Sequence, residues 1–271
     1  MDPAAPTSDA HPPAEIAHLV ERQGVAKARL ETVTLVVLAV LAGAFIALGS
    51  VFYLITVTGS NLGLGPTRLL GGVAFALGLV LVVVGGAELF TGNNLLAMAW
   101  ASGRIGVRDV LRNWVLVYLG NAVGALGTVA LVVWAGIETL GGGALGATAV
   151  EVASAKVGLT MGEAFARGVL CNALVCLAVW LAMGGRSVTD KAVAVLLPVA
   201  AFVALGFEHV VANWFLLPYG AALAGAAVVP AGAMAANLAA VTAGNVVGGT
   251  LLVAGVYWVA YLRPAPSGTG G

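Results

Sequence analysis

The sequence predicts an all-α membrane protein of six spans, arranged as two three-helix repeats of opposite insertion. Three observations carry that reading. The composition is 61% hydrophobic and 9% charged, with a mean hydropathy of +1.03, where soluble domains carry roughly 25% charged residues. Glu208 is the only charged side chain between Lys191 and Arg263, a run no soluble fold of this size would require. A polar pattern also occurs twice: Gly86-Ala87-Glu88 followed by Asn93 returns 120 positions later as Gly206-Phe207-Glu208 followed by Asn213. Downstream, Asn113, Gly120-Asn121 and Val123-Gly124 return as Asn237, Gly244-Asn245 and Val247-Gly248, offset by 124. An ionisable residue inside an apolar span is expensive, so its recurrence in both halves points to a pathway at the axis relating them.

Residues 1–26 read as a cytoplasmic N-terminal tail. Pro3, Pro6, Pro12 and Pro13 and two histidines, His11 and His18, occupy it without the apolar core of a signal peptide. An amphipathic helix over 14–28 ends it, and both histidines are expected only to solvate it. A membrane domain follows over 27–263, with spans read from the gaps between charges at 32–57, 69–101, 113–137, 165–183, 192–228 and 237–262. Residues 264–271 form a cytoplasmic C-terminal tail. Three crossings per half is an odd number, so the second half must enter from the opposite face. Trp100, Trp134 and Trp258 fall near span ends, as interfacial aromatics do. With the N-terminus inside, Arg22, Lys27, Arg29, Arg104, Arg108, Arg112, Arg186, Lys191 and Arg263 are cytoplasmic and Arg68, Lys156 and Arg167 are outside. Nine against three satisfies the positive-inside bias.

The second and fifth spans are too long. A continuous helix over 69–102 would measure about 50 Å against a hydrocarbon core of about 30 Å. A break is expected at Leu89 to Asn94, where Thr91, Gly92, Asn93 and Asn94 are poor helix formers. In the fifth span an irregular stretch is expected between Pro198 and Glu208, because Pro198 removes a backbone donor and Gly206 adds flexibility. Unwound backbone survives at membrane depth only when buried in protein or lining water, so both breaks should face one interior. Glu88 and Glu208 admit two readings, as functional carboxylates or as structural groups capping freed backbone N–H, and their duplication favours the second. Asn93, Asn213, Asn121 and Asn245 read as side chains that satisfy backbone or bridge helices, beside glycines that permit close packing.

Little other chemistry is legible. Cys171 and Cys176 lie about 140° apart around one helix, which suits neither a disulfide nor a metal pair. No phosphate-binding glycine loop, ligand cluster or nucleophile–base pair is evident, so no enzyme activity, cofactor or metal is expected. A net charge of zero points to no nucleic-acid partner.

Three runs carry a family resemblance: Gly86-Ala-Glu-Leu-Phe-Thr-Gly-Asn93, Gly168-Val-Leu-Cys-Asn-Ala-Leu-Val-Cys-Leu-Ala-Val-Trp180 and Gly206-Phe-Glu-His-Val-Val-Ala-Asn213. They resemble signatures of the formate/nitrite transporter family over nearly the whole membrane region. That resemblance implies an aquaporin-like fold of six helices, a homopentamer, and one pore for small monovalent anions in each protomer of a bacterial-type cytoplasmic (inner) membrane. It implies that His209 is the family's central pore histidine, where the residues alone equally allow a core histidine satisfied by a carbonyl. Thr91 resembles its hydrogen-bonding partner across the pore, Asn172 a polar neighbour, and Lys156, in the loop before the fourth span, a lysine that attracts anions at the outer entrance. Phe75, Leu79, Leu89 and Phe202 resemble two apolar constrictions around His209, although Phe and Leu in a span are more often core or lipid-facing.

The expected partners are a small monovalent anion, protons and the bilayer. Formate is the first choice, on Ala101-Ser-Gly-Arg-Ile105 and Gly185-Arg-Ser-Val-Thr-Asp-Lys191, with nitrite or hydrosulfide as alternatives, since Gly92-Asn93-Asn94 departs from the formate pattern. Two other classes remain to be weighed. An aquaporin-type channel for neutral solutes would carry paired Asn-Pro-Ala boxes, and an integral-membrane enzyme would need an activating metal or cofactor.

Overall fold

The computed structural model describes residues 10–264; the expectations for 1–9, with Pro3 and Pro6, and for 265–271 lie outside the described residues. The described chain is helical throughout. Its elements are α1 (Pro13–Ala28), α2 (Thr32–Val57), α3 (Leu64–Gly85), a 3-10 turn (Gly92–Leu95), α4 (Leu96–Ala101), α5 (Val107–Trp134), α6 (Ala144–Val157) and α7 (Met161–Gly184). There follow α8 (Val188–Ala204), α9 (Val210–Ala224), α10 (Ala231–Val247), a π-helical stretch (Gly248–Gly255) and α11 (Val256–Tyr261).

Five helices are long and apolar enough to cross a membrane: α2, α3, α5, α7 and the continuous run Ala231–Tyr261. The stretch read as a fifth span is instead two shorter helices, α8 of 17 residues and α9 of 15. At 1.5 Å per residue these measure about 25 and 22 Å, each short of a 30 Å core. Helix starts follow their caps rather than the last charge. The Glu31 carboxylate accepts the N–H groups of Val33 and Thr34, both at 3.0 Å, at the head of α2, which holds that exposed carboxyl below the usual range. Asp109 accepts the Gly106 N–H at 2.9 Å, so α5 starts at Val107, ahead of the expected Asn113.

The repeated glycines mark where α3 and α8 stop. Gly86 has φ +80° and Gly206 φ +70°, the left-handed conformation that ends a helix and suits glycine. The non-helical residues are 86–91 and 205–209. The first interruption therefore begins three residues before the expected Leu89. The second lies wholly beyond Pro198, because α8 continues through that proline to Ala204 while packed along α3 and α7, where one missing backbone bond is tolerated. At Gly86 an added Cβ would meet nothing within 4 Å, so Gly86→Ala isolates the backbone penalty. It is expected to cost about 1–2 kcal/mol. Gly127→Ala, mid-helix in α5 and equally open, should gain about 0.5–1 kcal/mol. Thermal unfolding in detergent should move the two midpoints in opposite directions.

Helices α2 and α5, and α7 and α10, pack nearly backbone to backbone. A Cβ on Gly124 would run into the Val40 carbonyl, and one on Gly244 into that of Phe165. The segment before α7, read as a loop, contains α6, and Lys156 stands in its last turn rather than in a loop. Lys27 holds the same place in α1. His11 does more than solvate the tail: its N–H donates to the Gly184 carbonyl at 2.9 Å, and its ring lies 2.8 Å from Glu15, lowering the Glu15 carboxyl.

Candidate functional site

The two interruptions are built from the same parts. At the first, Glu88 Oε1 lies 2.9 Å from Lys27 Nζ, while Oε2 accepts from Asn93 Nδ2 at 2.7 Å, and the same amide donates to Asn113 Oδ1 at 2.9 Å. At the second, Lys156 Nζ donates to both Glu208 oxygens at 2.9 and 3.0 Å, Asn213 Nδ2 donates to Oε2 at 2.7 Å and to Asn237 Oδ1 at 2.8 Å. Asn113 and Asn237 in turn donate to the carbonyls of Lys27 and Lys156. Each carboxylate is thus satisfied by an ammonium and an amide, and neither caps backbone N–H.

That work falls to the other repeated pair. Asn121 Oδ1 accepts the Phe90 N–H at 2.9 Å, and its amide donates to the Ala39 and Glu88 carbonyls at 2.7 and 2.9 Å. Asn245 accepts the Val210 N–H at 3.0 Å and donates to the Gly168 and Glu208 carbonyls at 2.8 and 2.9 Å. Unwound buried backbone would otherwise lose those bonds at a cost of about 1–3 kcal/mol per group.

His209, 3% exposed, caps α9: its Nδ1 accepts the Ala212 N–H at 3.1 Å. A backbone N–H can only donate, so Nδ1 is bare and the neutral ring carries its hydrogen on Nε2. That nitrogen faces Thr91 Oγ1 at 2.9 Å, so the ring donates and the hydroxyl keeps its own hydrogen for another acceptor. Phe202 stacks on the ring at a centroid distance of 6.0 Å, and Phe75 meets it edge-on at 6.5 Å. The pseudo-equivalent of His209 in the first half is Leu89, and that of Thr91 is Val211, so each half supplies one member of the polar pair.

Two cavities flank this centre. One, of about 380 Å³, is lined by Leu79, Leu89, Lys27 and Glu88 among others. The second, of about 160 Å³, is lined by Phe75, Phe202, His209, Lys156, Arg68 and Arg167 among others. The residues read from sequence as two constrictions thus divide between two cavities. Asn172 lines neither; it is fully buried and donates to the Thr91 carbonyl at 3.2 Å, to Asn94 Oδ1 and to the Asn245 carbonyl. Cys171 and Cys176 are free and buried.

The formate/nitrite transporter profile matches residues 14–259. The chain belongs to the formate/nitrite transporter family. Among curated proteins, the formate channel FocA of Escherichia coli (strain K12) is 42% identical over 269 residues, covering 93% of this chain and 94% of the relative. Solved structures share the fold, two of them as follows. A pentameric formate channel with formate bound has a TM-score of 0.79 at 40% identity, covering 86% of this chain and 98% of that one. A channel titled as an FNT family ion channel has a TM-score of 0.84 at 28% identity, covering 92% and 99%. With five long apolar helices, this formate/nitrite transporter family member is a multi-pass membrane protein.

Sequence reasoning missed Lys27 and the two arginines. Lys27 was read as one more cytoplasmic charge, although it stands 129 positions before Lys156, the offset that also relates the capping residues Glu31 and Thr160 of α2 and α7. Arg68 and Arg167 donate to the carbonyls of Ala204 and Gly206. Among the described residues neither forms an ion pair with a carboxylate.

Proposed function

We propose that the chain is a channel for small monovalent anions in a bacterial-type cytoplasmic membrane, with both termini cytoplasmic. In this reading it crosses six times: α2, α3 with α4, α5, α7, α8 with α9, and α10 with α11. The two groups of three are oppositely inserted, aquaporin-like repeats, interrupted in their second and fifth crossings. Residues 27–263 form the transport domain, and the tails 1–26 and 264–271 flank it. Formate is the substrate and a homopentamer the assembly, by likeness to the formate channel FocA and to the pentameric formate channel; nitrite and hydrosulfide are the alternative anions.

The observation that carries the reading is the His209–Thr91 pair, buried between apolar side chains that divide between two cavities. An unpaired anion in a dry constriction loses its hydration at a cost of several kcal/mol. Neutralising a carboxylate whose pKa lies about three units below ambient pH costs about 4 kcal/mol, so protonation is the cheaper route. The anion gathers in a cavity, meets His209 and Thr91 as donors, and passes the apolar gates Leu79–Leu89 and Phe75–Phe202 as the neutral acid or with a co-moving proton. An imidazolium at His209 would set Nδ1–H against the Ala212 N–H at the positive end of α9; giving up the Nε2 proton alone would leave that clash, so the cycle closes only when the ring loses the Nδ1 proton and regains Nε2–H from water.

Lys156 forms with Glu208 a pair of no net charge, and the positive face of the second cavity is then supplied by Arg68 and Arg167. Flux into proteoliposomes, compared for formate, nitrite, hydrosulfide, lactate and glycerol, tests the proposal. Formate should lead and glycerol should not pass. Glycerol flux matching formate would make this a neutral-solute channel instead.

A further inference from the structure

The two halves share most of the hydrogen bonds that hold their interruptions, and a marked difference lies where α7 meets the end of α10. Between α2 and α7 the offset is 129: Leu38 and Arg167 carbonyls accept the N–H groups of Glu88 and Glu208, and Ala39 and Gly168 carbonyls accept the amides of Asn121 and Asn245. By that register Asn172 stands where the first half has Gly43. With α5 and α10 offset by 124, Gly249 stands where the first half has Ala125.

At Gly43 no side chain fits, because a Cβ there would run into the Asn121 carbonyl. Asn172 nevertheless places a whole amide at the equivalent point, 2.7 Å from the Asn245 carbonyl. Two changes make the room. Gly249 replaces the alanine: a Cβ there would meet Asn172 Nδ2 at 2.5 Å, Asn94 Cβ at 2.7 Å and Cys176 Sγ at 2.9 Å. The backbone also changes, since Gly248–Gly255 is π-helical whereas α5 runs as an α-helix to Trp134. A π turn shifts the helical register and leaves carbonyls at its entry open to other donors. At that entry the Asn245 carbonyl takes the Asn172 amide.

The same Nδ2 lies 2.9 Å from Asn94 Oδ1 and 3.2 Å from the Thr91 carbonyl, so its two hydrogens are shared among three acceptors, with the Thr91 contact the longest. Every neighbour is an acceptor, so only the NH2 end can face them, and Asn172 Oδ1 is left buried without a partner. The Cys176 thiol points at the Thr91 carbonyl as well, at 3.4 Å.

We propose that the π-helical stretch and Gly249 form a positioning element: they open the helix interface for Asn172, whose amide fixes the backbone of Thr91 and hence the hydroxyl that meets His209. This rests on the reading that the His209–Thr91 pair serves the passing anion.

The test uses the full chain in proteoliposomes, with formate flux followed against pH and thermal unfolding measured in parallel. Gly249→Ala alone should lower both the unfolding midpoint and flux. Adding Asn172→Gly recreates the pairing of the first half, so the double variant should recover its midpoint. Its flux should stay on the order of fivefold below wild type, the loss of one net hydrogen bond, with a displaced pH midpoint. Wild-type flux and pH profile in the double variant would overturn the proposal. Should that variant fail to assemble, Asn172→Ala, which only vacates space, is judged by the same profile: a displaced midpoint supports positioning and an unchanged one refutes it. His209→Asn separates the two readings. If it leaves the pH dependence intact, the functional reading falls; if it abolishes that dependence while the double variant behaves as wild type, only the positioning role falls.

Discussion

Lys156→Met is expected to destabilise the protein by about 3–5 kcal/mol, the range for removing one partner of a buried ion pair. The Glu208 side chain is 4% exposed, and Lys156 Nζ supplies two of its three hydrogen bonds. Without the ammonium, a nearly buried carboxylate remains at the wall of the second cavity, held only by Asn213. Adding Glu208→Gln should recover most of the loss, because a neutral amide still accepts from Asn213 and no longer needs a counter-charge. The equivalent change at the first interruption, Lys27→Met, should cost less: its side chain is 27% exposed against 14% for Lys156, so water can take up part of its role. Thermal unfolding of the three purified variants beside the wild type would check the order. Equal losses from Lys156→Met and Lys27→Met would mean that burial does not set the strength of these pairs.

That pair also marks the boundary of what the residues reveal before they fold. The repeated Gly-x-Glu pattern was legible because its cause is local: glycine is needed where the chain turns left-handed, and the polar residues follow at fixed spacing. The start of α2 at Thr32 was legible, whereas α7 begins at Met161, four residues before the expected 165, because Thr160 caps it. Lys27 and Lys156 were not legible, because their partners lie 61 and 52 positions away and nothing in a window of either residue singles it out from other basic side chains. Helix α6 was missed for a related reason. Its segment begins with Gly141-Gly142-Gly143 and holds Glu151 and Lys156, a composition that reads as a loop until packing against α9 gives the helix a reason to form. Pro198 misled in the opposite sense, since a proline breaks a helix only when its neighbours do not hold the flanking turns. The contacts of Thr91 with His209 and of Asn172 with Thr91 were expected through family likeness alone. Each residue is joined to its partners across 70 positions or more, a span over which hydrophobic periodicity carries no information.

His209→Asn should fold and yet transport differently. Asparagine is a strong N-cap, so its side-chain oxygen can take over the Ala212 N–H that Nδ1 now accepts at 3.1 Å, and the head of α9 keeps its bond. The imidazole's second nitrogen has no substitute. The contact with Thr91 Oγ1 is lost, along with the ring stacked on Phe202. An amide also cannot gain and release a proton near neutral pH. Formate flux at pH 7 is expected to fall at least about tenfold, equivalent to about 1.4 kcal/mol in the barrier, and what remains should track only the fraction of formic acid already neutral in solution. Thr91→Val, which copies the pseudo-equivalent Val211, should reduce flux by a smaller factor and leave a pH-dependent component, since the histidine is retained. Thr91→Ser, keeping the hydroxyl, should stay near wild type. A pH profile in His209→Asn identical to that of the wild type would show that the imidazole takes no part in moving the proton, whatever its contribution to the shape of the passage.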